Sequence, residues 1–299
     1  MSREFKSSIM LFVTSIIWGL AFVAQSAGME YLGPFTFTVA RCFVSVIFLY
    51  LTYILFKKKS KTFREEKFDI KKTVQGGIVC GILFTIGINL QQTGLIYTTA
   101  GKAGFLTVLY IVFIPIIGFF RGNKISKKIR FCIIFSMTGT YFLSVNGGFR
   151  INKGDIIIIF SAITFALHIL SLSKYSRGTN TVLVSTIQFG VCGIISFAMA
   201  FFLEDISMEN ILKSYTTILY AGILSSGIGF TLQILALKDL DPVIASMISS
   251  LESVFGALFG WLILSQRMDK REIIGATIIF VSTLLAQIPI ENYLKRRFE

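Results

Sequence analysis

Ten apolar runs, each about twenty residues long, follow one another along the chain with short polar gaps between them. They cover roughly residues 8–27, 34–56, 74–97, 101–120, 129–146, 155–174, 181–203, 215–237, 242–264 and 271–290. A bilayer core of about 30 Å takes about 20 residues of helix. The pattern therefore predicts ten transmembrane α-helices and no strands, since only helices and closed barrels satisfy their backbone inside lipid. The gaps are too short for a soluble domain between the runs.

Composition agrees. Of 299 residues, 54% are hydrophobic and only 15% charged, too little polar surface to solvate a core of that size. The formal net charge of +13 would suggest nucleic acid in a soluble chain, but no nucleic-acid-binding pattern is present. In a membrane protein the same excess marks the cytoplasmic loops. Basic residues cluster at Arg3 and Lys6, between Lys57 and Lys72, between Arg121 and Arg130, at Lys174 and Arg177, at Lys238, and at Lys295–Arg297. Placed on one side, they outnumber those on the other (Lys102, Arg150, Lys153, Lys213, Arg267, Lys270, Arg271) roughly three to one, so both termini are expected in the cytoplasm. Residues Met1–Ala27 have the outline of a signal peptide, but the many spans that follow argue that they are retained. The four cysteines, Cys42, Cys80, Cys132 and Cys192, lie far apart in apolar runs, which speaks against zinc or a disulfide framework.

The second half matches the first. At an offset of 142, Ala103, Leu109, Val112, Phe113 and Gly118 fall on Ala245, Leu251, Val254, Phe255 and Gly260. At an offset of 147, Trp18 falls on Phe165 and Arg41 on Gln188. Two units follow, 1–147 and 148–299. Five spans per unit is an odd number, so the second unit is inverted relative to the first. Inverted repeats meeting at the bilayer midplane are a carrier architecture.

Several stretches resemble the EamA-type branch of the drug/metabolite transporter superfamily. They are Trp18-Gly19, Arg41, the junction QQTGLIYTTAGKAGFLTVLYIVFIP, and SLESVFGALFGWLIL followed by Gly275. The resemblance runs the length of the chain. Where that family has Glu-Pro in the ninth span this chain has Glu252-Ser253, and where it has Gly-Glu after the fourth and ninth spans this chain has Gly122-Asn123 and Ser265-Gln266. The resemblance implies a ten-span carrier of small organic solutes in the bacterial cytoplasmic membrane, with efflux of amino acids or related metabolites as the expected task. Import or exchange of another metabolite, such as an amine or nucleoside, stays open.

Polar residues inside the spans are the candidate substrate-binding set: Trp18, Arg41, Asn89, Gln92, Tyr110, His168, Gln188, Gln233 and Glu252. Glu252, near the middle of the ninth span, is either a cavity acid that binds an amine or carries a proton, or half of a structural pair. The Arg41 guanidinium either holds a carboxylate bidentately or binds helix carbonyls. His168 suits proton transfer or a satisfied structural role. Asn89, Gln92, Gln188 and Gln233 line a wet interior or join helices. Trp18 and Tyr110 either wall a pocket or pack between helices. Lys102 sits at the expected outer mouth.

No Walker A motif accompanies Gly101-Lys102, and one histidine without HExxH or GxSxG gives an enzyme little to build with. No metal or cofactor is expected. The expected partners are a small-molecule substrate, membrane lipid and protons as a coupling ion in place of ATP, with a monomer favoured over a dimer.

Overall fold

The computed structural model describes all residues except Met1, Glu66, Thr99, 123–124, 145–150, 265–268 and 288–299. The described residues form helices and no strand. The first unit contains α1 (Arg3–Gly28), α2 (Pro34–Lys59), the short α3 (Lys61–Glu65), α4 (Ile70–Leu95), α5 (Ala100–Val108), α6 (Tyr110–Phe120) and α7 (Lys127–Ser144). The second contains α8 (Lys153–Ser176), α9 (Thr181–Leu203), α10 (Met208–Lys213), α11 (Tyr215–Leu219), α12 (Phe230–Ala236), α13 (Pro242–Ser249), α14 (Glu252–Leu264) and α15 (Lys270–Gln287). Between α11 and α12 the chain continues without interruption as a π-helix, Tyr220–Gly229.

Polar residues at the edges of the apolar runs extend the helices past the predicted limits by capping them. Asp69 accepts the Lys72 backbone N–H to start α4, Asn152 and Asp155 form a reciprocal capping box on α8, and Asn180 caps α9. The start of α2 borrows its cap from the other unit. Both oxygens of Glu204, just past α9, accept from Phe35 N, Thr36 N and Thr36 Oγ1 at 2.6–2.8 Å.

Among the described residues, eight helical stretches are long and apolar enough to cross a membrane. The helices α7 and α15 fall short of that measure because three charged residues occupy the start of each (Lys127, Lys128 and Arg130; Lys270, Arg271 and Glu272). They pack on each other, with Gly139 against Gly275. Large apolar side chains such as Phe43, Phe120, Ile194 and Phe202 point outward. That is the arrangement a lipid-facing surface requires.

Contacts obey an exchange symmetry. The helix α4 packs on α8 and α9; correspondingly, the π-helix packs on α1 and α2. Likewise α14 packs on α1, as α5 and α6 pack on α8. The pairs α2–α9 and α7–α15 map onto themselves. One feature is absent from the apolar pattern: the fourth and ninth runs are each broken. The breaks fall between α5 and α6 and between α13 and α14, at equivalent places, since Tyr110 and Glu252, the first residues after each break, are 142 positions apart. That is the repeat offset. Broken helices paired in this way are the transporter device for putting half-helix ends at midplane.

Candidate functional site

The breaks meet at a cavity. Its walls come from α1 (Trp18, Gln25), α2 (Arg41), α4 and α5 (Gln91, Thr107), α8 (Phe165, His168), the π-helix (Ser225), and α12 and α14 (Gln233, Glu252), with Tyr110 opposite Glu252. The chamber is narrow, with a cavity volume of about 70 Å³.

Across the chamber, Tyr110 donates its hydroxyl to Glu252 Oε1 at 3.2 Å, with both residues buried. Repeat mates in direct contact lie on the axis that relates the two units. The acid opens a half-helix whose other end faces away.

The guanidinium of Arg41 is 2% exposed. Its Nε and Nη2 donate to Ser226 Oγ at 3.1 and 2.8 Å, and Nη1 donates to Gln25 Oε1 at 3.2 Å. Ser226 is delivered by the π-helix, whose wider turns displace residues from ordinary α-helical register; such segments recur at functional sites. The same segment takes the Trp18 indole, whose Nε1–H donates to Ser225 O at 3.2 Å, while the ring lies 4.7 Å from that of Phe230. Gly229 has to be glycine, for a Cβ there would meet Trp18 Nε1 at 2.8 Å.

On the opposite wall His168 Nε2–H donates to Gln188 Oε1 at 2.9 Å, and the ring packs against Phe84 and Phe230. Gln233 lines the chamber with its Oε1 buried and unpartnered. Gln91 reaches Thr107 at 3.0 Å and ties α4 to α5.

Six of the nine residues singled out from the sequence therefore share one cavity: Trp18, Arg41, Tyr110, His168, Gln233 and Glu252. The other three stand apart from its wall. Asn89 donates to Ser196 on α9, and Gln92 donates to Thr38 on α2 at 2.7 Å. Gln188 stands behind His168. Gln25 and Ser225 in the wall, and Ser226 behind Arg41, are residues the sequence reading passed over, and Gln91, in the polar junction, was left out of the candidate set. The signal for Gln25 was available, since it is a buried amide in the first apolar run. The side chain of Lys102, together with Asn123, Gln266 and residues 295–297, lies outside the described residues. Among the described residues no cluster of His, Cys, Asp or Glu could hold a metal ion.

A sequence profile of the EamA-like transporter family matches residues 5–145 and again residues 152–287. The chain belongs to the EamA-like transporter family. The two EamA matches coincide with the two structural units. An uncharacterized transporter of Archaeoglobus fulgidus is 29% identical over 284 residues, covering 94% of this chain and 85% of that protein. The uncharacterized transporter YoaV of Bacillus subtilis is 21% identical over 280 residues, covering 91% and 94%. A solved crystal structure superposes with a TM-score of 0.77 over 98% of each chain at 16% identity, a likeness of fold alone.

Proposed function

We propose that this EamA protein is a secondary transporter that moves small organic solutes by alternating access, with efflux of amino acids or related metabolites as its task. The observation that carries the reading is the Tyr110–Glu252 contact: repeat mates at the breaks of two helices, facing each other in the wall of a narrow chamber. In this reading units 1–147 and 148–299 are oppositely oriented five-helix bundles that rock about the chamber. The pair α7–α15 then supplies the fifth and tenth spans, with its basic first turns at the lipid interface. Both termini lie in the cytoplasm of a bacterial cell, on the side that gathers the excess of Lys and Arg. The working unit is a monomer, because the chamber is complete within one chain.

The latch between Glu204 and the start of α2 joins the two units on the side away from those termini, and rocking has to break it. Glu252 is the group that meets the solute or a coupling proton, since a buried acid with one neutral hydroxyl partner favours either a cation or a proton. The test is counterflow in proteoliposomes preloaded with single amino acids, amines or nucleosides. The wild type is expected to exchange at least one amino acid, and Glu252→Gln to lose most of that exchange. Transport by the variant at wild-type rates over the whole pH range would remove the acid from the mechanism, and absence of counterflow with every solute would remove the carrier.

A further inference from the structure

The fold does not account for the charge on Arg41. A guanidinium offers five N–H groups, and three bonds to neutral partners, Gln25 and Ser226, are all it makes. Between described residues the ion pairs are Lys61–Glu65 and Lys213–Glu209, both on exposed helices, so among the described residues no carboxylate pairs with Arg41. A buried cation of this kind is costly unless an anion joins it, and it faces the chamber rather than lipid.

A second observation stands elsewhere on the same wall. Gln233 Oε1 is buried and takes no hydrogen bond, and Glu252 accepts one from Tyr110. Of the residues that line the chamber, these two can accept from a solute. Trp18, Phe230 and Phe165 line the same chamber and supply its apolar surface.

We propose that the chamber is a two-ended zwitterion site. The solute's carboxylate lies on the free N–H groups of Arg41, its ammonium lies between Glu252 and the Gln233 carbonyl, and its side chain packs on Trp18 and Phe230. This rests on the transport reading above and narrows it to a solute that must carry a carboxylate. At roughly 10–15 Å³ per water, the 70 Å³ cavity corresponds to about five to seven waters. That suits one small neutral amino acid better than a peptide. Gln25 and Ser226 act as positioning residues that aim the guanidinium.

The experiment is competition against counterflow of radiolabelled neutral amino acids in proteoliposomes. The competitors are the parent acid, its carboxamide, its methyl ester and its decarboxylated amine. For the wild type, the acid is expected to compete at least about tenfold better than the three that lack a carboxylate, the scale of one lost charge-assisted bidentate contact. Arg41→Gln, which can still bond Ser226, is expected to bring that ratio close to one. Equal competition by carboxamide and acid in the wild type overturns the proposal while leaving the carrier intact. A variant that lowers recognition of acid and carboxamide by the same factor also overturns it, because that is what a purely structural arginine would do. If Arg41→Gln fails to fold, the wild-type ratio decides alone. If amines exchange but no amino acid does, the amino-acid reading falls and the zwitterion site falls with it.

Discussion

The two units join their first pair of helices by the same device, with the roles reversed. In the first unit an amide on α1, Gln25, accepts from a cation on α2, Arg41. In the second an imidazole on α8, His168, donates to an amide on α9, Gln188, the residue that the repeat places opposite Arg41. The backbone differs as well. Where the first unit runs α4 as a regular helix from Ile70 to Leu95, the second has the π-helix that brings Ser225 and Ser226 to the chamber. In the proposed cycle the symmetry supplies the hinge and the chamber, and the departures from symmetry supply the chamber's chemistry. A fixed positive charge stands on one wall, a group that can be neutral on the other, and an acid on the axis between them.

The strongest way to break this comparison is to remove the charge. Arg41→Leu leaves Ser226 and Gln25 without their partner, and the cost is about 1–3 kcal/mol of stability. Transport in proteoliposomes is expected to fall about a hundredfold, the combined effect of a lost ligand contact and a distorted π-helix. A melting curve in detergent separates the two effects. The next test moves the cation: Arg41→Gln combined with Gln188→Arg. The account expects no recovery relative to Arg41→Gln alone, because α4 supplies no counterpart of Ser226. Recovery to wild-type flux would show that the two walls are interchangeable and the asymmetry incidental.

A smaller effect is expected at the shared seam. Gly19 lies so close to α14 that a Cβ would stand 2.5 Å from Phe255 Cβ and 2.7 Å from Gly256 N. Gly19→Val is therefore expected to lower stability by about 1–3 kcal/mol, as overpacking does, and to slow exchange without changing which solutes compete. The smallest effect belongs to Asn89→Ala. Its partner Ser196 lies on α9, outside the chamber wall. Flux within about twofold of wild type is expected, with a stability loss near 1 kcal/mol for one buried hydrogen bond. A large change in solute preference would return Asn89 to the site.

These cases also mark what could be read without coordinates. Apolar length is a one-dimensional signal, and every apolar run became helix. The repeat was legible because identities recur in order at an offset of 142, such as Ala103 on Ala245 and Gly118 on Gly260, and the same offset separates Tyr110 from Glu252, which touch. The breaks were not legible. No proline or glycine stands at Leu109 or at Ser250-Leu251; the first break lies in an apolar stretch, and at the second the Ser250 and Ser253 hydroxyls donate to backbone carbonyls three residues back, a signal that apolar length does not register. Which amides face the chamber was hidden for a related reason. The helix α4 is covered by protein on several sides, by α8, α9 and α2. Polar residues therefore serve as joints on one face (Asn89, Gln92) and as wall on another (Gln91), and periodicity does not distinguish them. Glu252 and Arg41 were legible because an ionisable group at membrane depth has few stable roles.

The central claim is that one chamber between the two units is reached from each side of the membrane in turn. It is tested most directly by replacing the four native cysteines, introducing Ser225→Cys in the chamber wall, and labelling with a membrane-impermeant thiol reagent in right-side-out and inside-out vesicles. The account predicts labelling from both faces, slowed from both by a transported solute. Labelling from one face only, or from neither, under conditions where the protein exchanges solute, would contradict it.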